Sequence, residues 1–104
     1  MHALDAWCTS TATYIELAQG CRDNADLARL KKGLAARNTK ILPITPAISK
    51  RAADLIDQLA LSHGMRLADA LIAATAIEFQ ATLITANVKH FSPIKELSTE
   101  AFLP

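Results

Sequence analysis

The chain has 104 residues, room for one domain at most. An apolar fraction of 51% against 20% charged residues excludes a disordered chain and fits a globular one. The formal charge of +1 weighs against a protein that coats DNA, but not against one that meets a nucleic acid through a local patch and metal ions.

In chain order, Ala3-Leu4-Asp5-Ala6-Trp7 is expected in a helix that precedes the first strand. Cys8 to Ala12, small and threonine-rich, reads as that strand. A helical turn follows from Tyr14, with Gly20 as its stop. Asn24 reads as the N-cap of a helix to about Arg37. Leu27, Leu30 and Leu34 form its inner stripe, and Lys31, Lys32 and Arg37 stay on the wet side. Lys40 to Thr45 reads as a short strand with an edge-type proline, Pro43. Thr45-Pro46 is a cap and first-turn proline for a helix that ends at His63-Gly64. Its inner face is Ile48, Ala52, Leu55, Ile56 and Leu59. The next helix, Leu67 to about Phe79, is apolar nearly all round and should be buried. Thr82 to Thr85 is a strand, and Pro93 to Leu97 a last short helix. Strands alternating with helices argue an α/β fold with a mainly parallel sheet.

The two cysteines, Cys8 and Cys21, form no Cys-x-x-Cys motif and suggest neither a zinc site nor a disulfide framework. Free thiols and a start without a basic, then apolar segment point to a cytoplasmic protein. The longest apolar run, Ala70 to Ile77 broken by Thr75, is too short to span a bilayer.

Three residues stand out as carriers of chemistry. Asp69 is the single carboxylate of an otherwise apolar helix, and carboxylates rarely sit on such surfaces unless paired or metal-bound. Its structural alternative is a first-turn Asp that caps the helix or complements its dipole. Asn87 follows the strand Leu83-Ile84-Thr85, where a turn asparagine is equally ordinary. Glu16, in Thr13-Tyr14-Ile15-Glu16-Leu17-Ala18-Gln19-Gly20-Cys21-Arg22, is by itself a solvated helix glutamate. His90, in Asn87-Val88-Lys89-His90-Phe91, suits a structural or rim position better than a catalytic base.

In their order and spacing these segments resemble PIN domains, the metal-dependent ribonucleases abundant as VapC-type toxins of toxin–antitoxin pairs. Glu16 matches the family's Glu before a leucine and a Gly-x-Arg. Asp69 matches the Asp at the start of a buried helix. Asn87 matches a position that is often Asp. The resemblance implies a PIN-like three-layer α/β fold with a mainly parallel sheet, spanning residues 1–104 as one domain. It also implies that Glu16 and Asp69 ligate Mg²⁺ or Mn²⁺, with Asn87 as an accessory ligand. Such hard cations prefer oxygen and can polarise a phosphodiester and activate water. RNA would be the substrate, and a small antitoxin and a second copy of the chain the partners.

One part of the family pattern is unmatched. A PIN domain begins with an apolar strand, near the middle of the sheet, that ends in a further metal-binding Asp. Asp5 superficially mimics it but stands only 11 residues before Glu16. The domain is therefore expected to lack its first strand. Upstream sequence is missing, the sheet closes around the gap, or a partner fills it. Activity should then be weak. Two rival readings are a catalytically inactive PIN remnant that serves as a dimerisation or antitoxin-binding module, and an unrelated small α/β domain with a purely structural Asp69.

Overall fold

The computed structural model describes residues 2–4 and 8–101. In chain order the elements are β1 (His2–Leu4), β2 (Cys8–Ser10), α1 (Thr11–Gln19), α2 (Asn24–Ala36) and β3 (Lys40–Leu42). Then come α3 (Pro46–His63), α4 (Leu67–Glu78), β4 (Leu83–Thr85), α5 (Val88–Phe91) and β5 (Thr99–Ala101). One sheet holds the strands in the order β3-β2-β1-β4-β5. β2 pairs parallel with β3 and β4 parallel with β5, while β1 pairs antiparallel with both β2 and β4. Four strands therefore share one direction and the central one opposes them. Each parallel step is bridged by helix, as such crossovers require.

The α/β class and the mainly parallel sheet stand as expected. The centre of the sheet needs a correction. His2–Leu4 is a strand, not part of a helix, and it fills the middle of the sheet in reverse. No parallel strand ending in Asp stands there among the described residues, and Asp5 lies outside them. Other boundaries shift for local reasons. β2 stops at Ser10 because the Ser10 hydroxyl accepts from the Thr13 N–H at 2.9 Å and starts α1 at Thr11. Asp23, not Asn24, caps α2, its carboxylate accepting from the Asp26 N–H at 2.8 Å. β3 ends at Leu42, before Pro43. The last helix falls at Val88–Phe91 rather than Pro93–Leu97, and β5 follows it.

α3 follows its sequence signals closely. Thr45 caps it through the Ile48 N–H at 3.2 Å, Pro46 takes the first turn, and Gly64 ends it in the left-handed region at φ 65°. The core is built around α4. Ala70, Ala73, Ala74 and Ala76 have no exposed surface and Ile72 has almost none. Small side chains let the backbone of α4 come close to its neighbours; α3, α1 and β2 pack on it. Ile48, Ala52 and Leu55 of α3, Leu83 of β4 and Phe91 of α5 close the cluster. Arg51 of α3 also meets Glu78 of α4 at 2.6 Å, a partly exposed ion pair worth at most about 1 kcal/mol.

Phe91 is fully buried and anchors the single turn of α5 to this core. Phe91→Ala should cost about 3–5 kcal/mol through the cavity it leaves. Urea denaturation measures this, and a loss below about 1 kcal/mol would mean that α5 is held by something else.

Candidate functional site

β2 and β4 lie on either side of β1, with Cys8 and Leu83 both paired to Leu4. The two strands therefore run in step, and their carboxyl ends, Ser10 and Thr85, emerge about 10 Å apart at the same end of the sheet. Open α/β sheets place ligands at that end.

The Ser10 end leads directly into α1. Thr11 fastens that junction to β3 by donating its hydroxyl to the Leu42 carbonyl at 2.7 Å. Glu16 lies roughly 7 Å further along the helix. It is exposed, and its carboxylate pairs with no described residue. The Thr85 end leads into α5. The buried Thr85 hydroxyl accepts from the Asn87 N–H at 3.1 Å and fixes the turn. Asn87 is the N-cap of α5, yet its side chain makes no capping bond and stays exposed.

Asp69 sits in the first turn of α4. The N-cap there is Arg66, whose side chain has no acceptor to offer. Asp69 supplies the acceptor instead: its Oδ2 takes the Arg66 N–H at 3.3 Å, and its charge complements the helix dipole. The same Oδ2 meets His90 Nε2 of α5 at 2.9 Å. Both bonds fall on one oxygen, so Oδ1 has no partner among the described residues. His90 is one helical turn from Asn87 and stands edge-on to the Phe91 ring at 5.3 Å.

The structure thus brings Asp69 and the Asn87 turn together, with His90 as the link. Glu16 is not drawn into that pair: among the described residues no three His, Cys, Asp or Glu side chains are grouped closely enough to hold a metal. His90 does occupy a rim position, and its role as the partner of Asp69 is what sequence reasoning missed. The available signal was its place one turn after Asn87. The donor set fits a hard cation in kind, through the free Oδ1 of Asp69 and the carbonyl of Asn87. Magnesium is often held by only one or two carboxylates and several waters.

Set beside known proteins, residues 1–96 match the model of the PIN domain, and the chain belongs to the PIN domain family. Solved structures share its fold. A toxin–antitoxin complex from Klebsiella pneumoniae aligns with TM-score 0.68 and 29% identity, covering 86% of this chain and 70% of that one. VapBC-1 from nontypeable Haemophilus influenzae aligns with TM-score 0.75 and 27% identity over 91% and 73%. VapBC2 from Rickettsia felis, bound to a DNA fragment from its promoter, aligns with TM-score 0.75 and 24% identity over 90% and 73%. No curated protein matches.

The Asp69–His90 pair is partly open to water, its side chains 20% and 32% exposed. Asp69→Asn keeps an acceptor for the cap but loses the charge, and should lower stability by about 0.3–1 kcal/mol. A loss of several kcal/mol in urea titration would instead mark a buried, essential ion pair.

Proposed function

We propose that this chain is the toxin half of a VapC-type toxin–antitoxin pair, a divalent-metal endoribonuclease whose cleavage is weak. The observation that carries the reading is the contact of Asp69 with His90, one turn after Asn87, which leaves Oδ1 of Asp69 without a partner among the described residues. The PIN family and its toxin–antitoxin structural neighbours support the assignment to this type.

In this reading Asp69 is the principal carboxylate for Mg²⁺ or Mn²⁺, Asn87 adds a neutral carbonyl, and Glu16 is the outlying acid of the group. The cation, when bound, supplies polarisation of a phosphodiester and activation of water. His90 holds the Asp69 carboxylate in one orientation through Oδ2. Asn87 contributes no charge where the family often has an acid, and no further Asp stands in mid-sheet among the described residues. The loss of one such electrostatic contact lowers a catalytic rate on the order of a hundredfold or more. The partners in this reading are RNA, an antitoxin and a second copy of the chain, in the cytoplasm. An apolar groove between α3 and α4, lined by Ala52, Ile56, Leu67 and Leu71, supports a protein partner. So do the exposed Leu61 and Leu67. No helix among the described residues is long and apolar enough to cross a membrane.

A second reading, an inactive module that binds antitoxin or itself, is favoured by one observation: Glu16 stands outside the Asp69–His90 pair. Calorimetry with Mn²⁺ and cleavage of a mixed RNA pool separate the two. The proposed enzyme binds Mn²⁺ and cleaves slowly, and Asp69→Asn abolishes both. Absence of Mn²⁺ binding and cleavage in the unmodified chain would establish the inactive module.

A further inference from the structure

The net charge of +1 hides a segregation of charge along the chain. From Leu27 to Ala53 there are seven of the eleven cationic residues and none of the ten acids. The fold gathers most of these cations on α2 and the adjoining edge strand. Leu27, Leu30 and Leu34 turn the apolar face of α2 inward, so Lys31 and Lys32 are exposed. The helix ends with Asn38 in the left-handed region at φ 51°, its N–H bonded to the Ala35 carbonyl and that of Thr39 to Leu34. This turn brings the exposed Arg37 and Lys40 to the end of the same helix. β3 is the outermost strand of the sheet, so its flank is open.

Ion pairing does not consume these charges. Arg22 and Arg29 are committed to Asp26, and Arg51 to Glu78. Lys31, Lys32, Arg37 and Lys40 form no ion pair or side-chain hydrogen bond among the described residues. The dipole at the end of α2 accounts for Arg37 but not for the other three. Four exposed, unpaired cations between positions 31 and 40, on a chain that is acidic elsewhere, are the footprint of a polyanion.

We propose that Lys31, Lys32, Arg37 and Lys40 form a docking strip for the phosphate backbone of single-stranded RNA. α1, which carries Glu16, packs against both α2 and β3, so the strip adjoins the helix of the outlying acid. The longest dimension of the molecule is 39 Å. Even at the fully stacked, duplex-like spacing of about 3.4 Å per nucleotide, a strand of about a dozen nucleotides reaches across it. The inference rests on the RNA reading given above and adds where the substrate is held.

The test is fluorescence anisotropy with an end-labelled single-stranded RNA of about a dozen nucleotides, in EDTA and across a salt series. Four backbone contacts predict a slope of log affinity against log salt near −3, from about −0.7 per phosphate. The variant Lys31→Gln/Lys32→Gln/Arg37→Gln/Lys40→Gln should lose at least tenfold in affinity at low salt and most of the slope. A charge-matched control, Lys50→Gln/Lys95→Gln, should lose much less than Lys31→Gln/Lys32→Gln. Circular dichroism checks folding, and Lys31→Gln and Lys32→Gln singly should each reduce the slope by about 0.7 if the fourfold variant is unstable. Equal loss in the control, or no loss in the strip variants, overturns the proposal. So does equal displacement of the RNA by polyglutamate, which would mark an acidic protein as the occupant. RNA binding through the strip without Mn²⁺-dependent cleavage would keep the strip and sink the ribonuclease. Cleavage with RNA affinity unchanged in the fourfold variant would do the reverse.

Discussion

Burial of the middle of α4, at Ala70 and from Ile72 to Ala76, is the constraint on which the rest of the molecule depends. A helix so nearly buried in its middle can carry charged groups only at its ends. Its alanines remove the bulk that would hold α3 and the sheet away, and close packing follows. Thr75, the one polar residue of its middle, returns its hydroxyl to the Leu71 carbonyl at 2.7 Å, as buried hydroxyls must find a partner. At the ends, Glu78 reaches Arg51 on α3 and Asp69 reaches His90 on α5. The helix that organises the core thereby also fixes where the candidate ligand stands.

The sheet is assembled under a second constraint. Its strands are three residues long, and the two parallel pairs touch only through β1. A short reversed strand can serve there because antiparallel pairing needs only a brief connection, and three residues separate Leu4 from Cys8. Without β1 in mid-sheet, β2 and β4 would each expose a row of unpaired backbone groups. The middle of the sheet is occupied from within the chain, by β1. What the reversed strand does not provide, among the described residues, is an acid at the carboxyl end.

The legible parts of the fold were those set by local chemistry. Thr45-Pro46 and Gly64 bound α3 because a cap, a proline and a left-handed glycine act within a few residues. The all-round apolar pattern of Leu67–Glu78 announced a buried helix. β1 and β5 were illegible because a three-residue strand has no measurable periodicity, and its existence depends on partners about eighty and about sixteen residues away. At the candidate site, Asp69 was legible because a lone carboxylate in an apolar helix demands an explanation. His90 was not, since only the fold decides which side chain of α5 faces α4. The basic strip was hidden by the net charge, which adds the acids of the two helical ends to the cations of the middle.

The cap and ligand readings of Asp69 are compatible, and the geometry explains why. An Asp that caps a helix uses one oxygen for a backbone N–H, and here the same oxygen also receives His90. Had the two bonds been shared between Oδ1 and Oδ2, each oxygen would keep only one of its two in-plane lone pairs for a cation. Concentrating them on Oδ2 leaves the second oxygen with its lone pairs intact. The carboxylate is also fixed in orientation from two elements, so little side-chain entropy would be lost when a ligand binds. That preorganisation comes from the N-cap N–H of Arg66, an ordinary residue with no acceptor, and from a histidine one turn after Asn87. A purely structural Asp would need only the first of these. The second joins the turn that carries Asn87 to the helix that carries Asp69, and it is the feature a helix cap alone does not require.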